Sequence, residues 1–334
     1  MFCLGWLLFL GITRLSMAAE TPPPPADTPA ASPALPGKNP AVEREFQRLL
    51  ERDQDALDQV DQWILEERQL ADRGAEMSSP ALEARIEERL KPIEEGYREF
   101  LQRHPDHLRA RLALGSLLNE MGREDDAVAE WEKARKQAPR DPVAWNNLAN
   151  YYAQRGPVTK AFEYYERAIR LKPDEPLYRR NLARVVFLFR PEAREYYHLA
   201  DEQAVLRKAL EFYQAARKRD PQNFSLATDL AQVYYFLHPR NPDDPEAARK
   251  LTEAALAAWR AARKLAPNDL TRQGVDLHLA RVCLLAGRRE EARKHLARVT
   301  SPAYASVKKP LEQRLRPPAA AAPPAPASPK PAAP

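Results

Sequence analysis

The chain has 334 residues, 44% of them hydrophobic, which is enough to bury a sizeable core, and length alone suggests about two domains. A net charge of +5 is small beside the 30% of residues that are charged, and the two signs alternate along most of the sequence, which describes a solvated surface and argues against a nucleic-acid footprint. Ten glycines, few β-branched runs and abundant Ala, Leu, Glu and Arg predict an all-α chain, and two cysteines, Cys3 and Cys283, exclude a disulfide framework.

Met1 to Thr13 carry no charge and include Leu4, Trp6, Leu7, Leu8, Phe9 and Leu10, a run too short for a membrane-spanning helix. Ser16-Met17-Ala18 before Ala19 supplies the small residues of a cleavage site, so 1–19 reads as a secretory signal and the protein as periplasmic or secreted. The alternative is a true start at Met17 and a cytoplasmic protein. Residues 20–40, rich in Pro, Ala and Ser, read as a disordered or extended linker. Over 41–104 the pattern turns helical. Leu50, Leu57, Ile64 and Ala71 recur every seven residues, interrupted by Asp53 and Glu67, and Leu82, Ile86, Leu90, Ile93, Tyr97 and Leu101 share one face of a second helix. A helical hairpin that caps the segment beginning near residue 105 accounts for both, with self-association through these helices as the alternative.

From Leu108 the sequence repeats itself at a spacing of thirty-four residues. Leu114, Gly115, Gly122, Ala127, Trp131, Ala134 and Pro139 return as Leu148, Ala149, Gly156, Ala161, Tyr165, Ala168 and Pro173. Trp145, Leu148, Ala149 and Tyr152 form one helical stripe, and Ala161, Tyr165 and Ala168 form another after the break at Gly156-Pro157. Two amphipathic helices therefore face each other, with small residues where the axes approach and aromatics between them. This run resembles the tetratricopeptide repeat. The resemblance implies a right-handed α-solenoid of stacked helical hairpins, a protein or extended peptide as partner, and a concave groove lined by the first helix of each pair.

Over 105–300 about five such repeats are predicted, two of them with insertions. The first insertion, Arg190 to Leu199, extends the helices or projects as a loop, and its His198 reads as a surface histidine rather than an acid-base group. The second, His238 to Pro245, is proline-rich and polar and reads as a solvent loop. Residues 301–316 form a closing helix, and 317–334 are an Ala/Pro tail expected to be disordered.

Stacking equivalent first-helix positions, as the resemblance allows, gives one column of Ala113, Asn147, Asn181, Asp229 and His278 and a second of Ser116, Asn150, Arg184, Gln232 and Arg281. A third contains Leu112, Asn146, Arg180 and Thr228, and a fourth Asn119, Ala153, Phe187 and Tyr235. Asn147 and Asn181 look like the asparagine ladder of some family members, whose amides offer a peptide backbone both donor and acceptor. The candidate groove residues are thus Asn146, Asn147, Asn150, Arg180, Asn181, Arg184, Phe187, Gln232, Tyr235 and Arg281. Leu112 and Asn146 stand where relatives that clamp a terminal carboxylate carry lysine, so that mode of binding is not expected. His104-Pro105-Asp106-His107 reads as a capping turn rather than a metal site, and Cys283 as a packing thiol. With no phosphate loop, nucleophile elbow or paired-cysteine site, neither enzyme activity, cofactor, metal nor small-molecule substrate is expected. The basic stretch Arg179, Arg180, Arg184, Arg190 and Arg194 is diluted by Glu192 and Glu195, which disfavours nucleic acid.

Overall fold

The computed structural model describes residues 39–72, 79–239, 241 and 243–315. The expected signal, all but the last two residues of the linker, and the tail lie outside them. Among the described residues the regular structure is entirely helical, and no helix is long and apolar enough to cross a membrane. The helices are α1 (Pro40–Asp72), α2 (Ser79–Arg103), α3 (Leu108–Glu120), α4 (Glu124–Gln137), α5 (Pro142–Arg155), α6 (Val158–Leu171), α7 (Pro176–Leu188), α8 (Arg190–Tyr196), α9 (Glu202–Arg219), α10 (Phe224–Val233), α11 (Pro245–Leu265), α12 (Asp269–Leu285), α13 (Arg289–Ala297) and α14 (Ala305–Leu315), with a 3₁₀ turn at Pro302–Tyr304. They form two compact units, the first ending at Leu237 and the second beginning at His238.

In the first unit α1 pairs with α2, α3 with α4, α5 with α6 and α7 with α9, each hairpin packing on the next; α10 lies against α9 and α7. The sequence dictates the hairpin ends. Asp141 accepts a hydrogen bond from the Val143 amide at the start of α5, with Pro142 in the first turn, and Asn223 does the same for Leu226 in α10. At the end of α3, Gly122 adopts a positive φ of 72° while Arg123 N–H donates back to Leu118 O at 2.8 Å, a closure that a β-carbon would strain. His198 takes the same left-handed cap at the end of α8, with φ 51° and the Leu199 N–H donating to Arg194 O. The first insertion is therefore a short helix, whose Tyr196 and Tyr197 pack on Phe162 of α6.

The core alternates small and large. Ala127, Ala134, Ala161, Ala168, Ala209 and Ala216 are fully buried between Trp131, Tyr165 and Tyr213. Gly115 is the tightest point: a β-carbon there would lie 2.4 Å from the Trp131 Nε1, and only a hydrogen fits. Several ion pairs join different helices. Arg111–Glu130 (2.9 Å), Arg123–Glu94 (2.7 Å), Arg155–Glu124 (2.6 Å) and Arg219–Asp174 (2.7 Å) tie neighbouring elements. The exposed Arg219–Asp174 pair contributes about 0–1 kcal/mol, whereas Glu94 and Glu130 are buried.

Asp53, which interrupts the α1 heptad, sits in the α1–α2 seam and accepts a hydrogen bond from Tyr97 Oη at 2.7 Å. Burial pushes its carboxyl pKa up, and its second oxygen is buried without a partner. Asp61 and Glu120 are also raised, chiefly by burial, and the charges of Asp61 and Asp53 add to the rise at Glu120. His107 caps α3 by accepting from the Ala110 amide, its ring against Phe46 and Phe100.

In the second unit α11 packs on α12, α12 pairs with α13, and α14 closes over both α12 and α13. Asp276, 1% exposed, is held by Arg263 at 2.9 Å and His295 at 2.8 Å. Gln273 accepts from the Thr300 and Ser301 amides and so ties the end of α13 to α12. Cys283 is buried.

Candidate binding groove

The candidate residues of the first unit come from α5, α7 and α10. α5 and α7 are the first helices of successive hairpins and pack on one another, and α10 lies against α7. Asn146 is fully buried, and Asn147 and Asn181 are each 3% exposed. Their amides form a directed relay. Asn181 Nδ2 donates to Asn146 Oδ1 at 3.1 Å, and Asn146 Nδ2 donates to Asn147 Oδ1 at a longer 3.4 Å. The relay ends at Asn147 Nδ2, which is buried and has no acceptor. Such a donor costs about 1–3 kcal/mol, and an oxygen brought to it recovers that cost.

The surrounding polar groups are already engaged with one another. Asn150 Oδ1 accepts from the buried Tyr165 Oη at 2.5 Å, and Arg180 Nε donates to Asp229 Oδ2 at 2.9 Å, joining α7 to α10. Burial lifts the Tyr165 and Tyr213 phenols well above their usual range, and the Arg184 charge close to both opposes that rise.

The remaining candidates separate from this cluster. Phe187 packs edge-on against Phe236 at 5.3 Å, with the Arg190 guanidinium about equally close to both rings (5.5 and 5.4 Å) and Arg190 also paired to Glu202 at 2.8 Å. Gln232 is exposed on α10. Tyr235 lies in the turn that follows α10, its N–H donating to Gln232 O, rather than on the helix. Arg281 is exposed on α12 of the second unit, where the neighbouring His278 stacks on Trp259 at 4.0 Å. Burial, reinforced by the Arg281 charge, pushes the His278 pKa down to about 4.

Asp229 stood in the first column but not among the candidate groove residues, and Tyr165 stood in no column. Tyr165 carried a signal, since its thirty-four-residue relation to Trp131 marks it as core, but nothing in the spacing shows that its hydroxyl engages Asn150. Among the described residues no group of three or more His, Cys, Asp and Glu side chains is placed to hold a metal ion.

The tetratricopeptide repeat family model matches residues 95–134 and 120–176, from the second half of α2 to the start of α7. A search of curated protein sequences gave no match. Among solved structures, the chain is similar to pilF of Pseudomonas aeruginosa, with a TM-score of 0.50 and 15% identity over 80% of this chain and 100% of that one. It is similar also to the C-terminal part of a TPR repeat-containing protein from Cytophaga hutchinsonii, with a TM-score of 0.50 and 11% identity over 82% of this chain and 99% of that one. At these identities the likeness speaks for the fold alone. Together, the matched residues, their thirty-four-residue period and the stacked hairpins identify residues 95–176 as tetratricopeptide repeats.

Proposed function

We propose that the chain is a non-catalytic scaffold that holds an extended peptide or protein segment against α3, α5 and α7. The observation that carries this reading is the amide relay ending in the unpartnered Asn147 Nδ2. A directed chain of three amides that stops at a buried donor is complete only when an outside oxygen accepts from it, and a peptide carbonyl is such an oxygen. The donor is covered in the unliganded chain, so a ligand reaches it by parting the side chains above it.

Replacing Asn147, Asn181 and Arg184 together with alanine tests this. Peptides selected from a random library on the unaltered protein should lose at least about tenfold in affinity for the triple variant, the equivalent of one hydrogen bond to a charged or buried donor, while the helical circular dichroism stays the same. Equal affinity for both proteins would rule out the groove.

We also propose that the scaffold works in a bacterial envelope, which the apolar Met1 to Thr13 run and the small residues before Ala19 support. The intact mass of protein purified from its native host tests this; a retained Met1 or Met17 contradicts it. Self-association through α1 is the second reading, supported by half-buried Leu50, Leu57 and Ile64 and by Leu65, which is 53% exposed. Sedimentation velocity at micromolar concentration decides it, since a monomer ends that reading.

A further inference from the structure

A second cluster lies where α4, α5 and α6 meet. Trp145 of α5 meets Tyr164 of α6 edge-on at 5.0 Å, Tyr164 meets Tyr152 at 5.5 Å and Tyr152 meets Tyr151 at 5.4 Å, so four half-buried rings follow one another without a break. Neighbouring residues on a helix differ by about 100° in direction, so the buried Tyr165 bonds to Asn150 while Tyr164 joins these rings. The Trp145 indole N–H is taken by Pro139 O at 3.1 Å. The hydroxyls of Tyr151, Tyr152 and Tyr164 make no hydrogen bond among the described residues.

Cations stand at both ends of the row. Lys160 Nζ is 4.8 Å from the centre of the Tyr152 ring, and the Arg167 guanidinium is 5.8 Å from that of Trp145. Arg135 also lies over Trp145, at 5.0 Å, but Glu132 matches its charge at 2.7 Å. No ion pair joins Lys160 or Arg167 to another described residue, although the exposed Glu163 follows the first by three positions and precedes the second by four on the same face of α6. The face thus holds two unmatched cations, one unmatched carboxylate and three phenols able to donate.

This combination favours carboxylates carried on an apolar strand. Lys160 and Arg167 are seven positions apart, which sets them roughly 10 Å apart along the axis of α6 with Tyr164 between them. An extended peptide covers that length in three residues, at roughly 3.3 Å each. We infer that the aromatic row of α5 and α6 is a docking site for an acidic peptide segment in extended form. Two carboxylates three residues apart pair with Lys160 and Arg167, and the apolar residues between them lie against Tyr164. Base stacking is the other use of aromatics beside cations, and it needs an open ring face. Here the rings of Trp145 and Tyr152 already carry cations. The row shares no residue with the amide relay, so each site can fail without the other.

A fluorescein-labelled peptide with the core Glu-Leu-Pro-Glu, whose proline keeps the preceding residue extended, tests this by anisotropy with the full-length chain. It should bind, and added salt should weaken it. Lys160→Glu and Arg167→Glu should each lower affinity at least about fivefold, the upper worth of one exposed ion pair. Glu163→Gln should raise affinity, because it removes the carboxylate that competes for both cations. Lys160 and Glu163 are exposed and Arg167 is half-buried, so the helical circular dichroism of all three variants should match that of the unaltered chain. No binding at about 1 mM peptide, the weak limit of a specific contact, overturns the inference, as does equal binding of a peptide with glutamine for both glutamates. So does indifference to both charge reversals, or a thymidine oligonucleotide that binds more tightly than the peptide and depends on the same two cations.

Discussion

Gly115 and His198 show how much a single residue can decide in a repeat protein. Gly115 is helical, where alanine would ordinarily gain about 1 kcal/mol in propensity. Its hydrogen, however, faces the Trp131 indole at a distance no β-carbon tolerates, and overpacking costs about 1–3 kcal/mol. Gly115→Ala should therefore lower the thermal midpoint, and differential scanning calorimetry showing a rise would mean the indole has room to move. His198 is the converse case. It is exposed and sits in the left-handed cap that Gly122 and Gly287 fill elsewhere, at a cost of about 1–2 kcal/mol for a residue with a β-carbon. His198→Gly should stabilise the chain by about 1 kcal/mol in chemical denaturation, with a neutral or negative result contradicting that reading of the cap.

The thirty-four-residue period was enough to place the stripes of α3 to α6, because packing in a stacked hairpin depends on which residues are small and which are aromatic. The sequence was less informative where the period breaks. The stretch from Arg190 was expected to extend the helices or project as a loop, and it instead forms a separate short helix, α8, packed on α6, whose end is set by a backbone conformation that histidine does not announce. The α1 heptad posed a similar problem, since Asp53 looked like a defect in the seam. In the structure it is a buried carboxyl bonded to Tyr97, with Asp61 and Glu120 raised in the same direction. A carboxyl whose folded pKa lies above its unfolded value binds more protons when folded, so it favours folding at low pH and loses that contribution as pH rises through the folded pKa. Asp53→Asn should therefore raise the thermal midpoint at pH 7 relative to the unaltered chain, with the difference vanishing below about pH 4, where both forms are neutral. A difference of the same size at both pH values would remove burial of the charge as its cause.

For the molecule as a whole, the sequence showed which polar residues share equivalent positions but not how they use their hydrogen bonds. Asn147 and Asn181 stand in one column, yet they are linked through Asn146 from a different one. Arg180, expected to meet a ligand, is bonded to Asp229, and the phenol of Tyr165, expected only in the core, is bonded to Asn150. Period alone cannot give this, because a helical position fixes the direction of a side chain and leaves its partner to the neighbouring helix. What results is a chain of three amides whose last donor, Asn147 Nδ2, has no acceptor. The Asn147 side-chain amide is thus the group whose environment a bound peptide has to change. It can be followed in a selectively asparagine-labelled full-length protein as a peptide selected on the groove is added, using nitrogen–proton correlation spectra. The Asn147 Nδ2 proton resonance should move downfield and become slower to exchange with solvent as the site fills. A peptide that binds to saturation and leaves that resonance unmoved would contradict the groove reading.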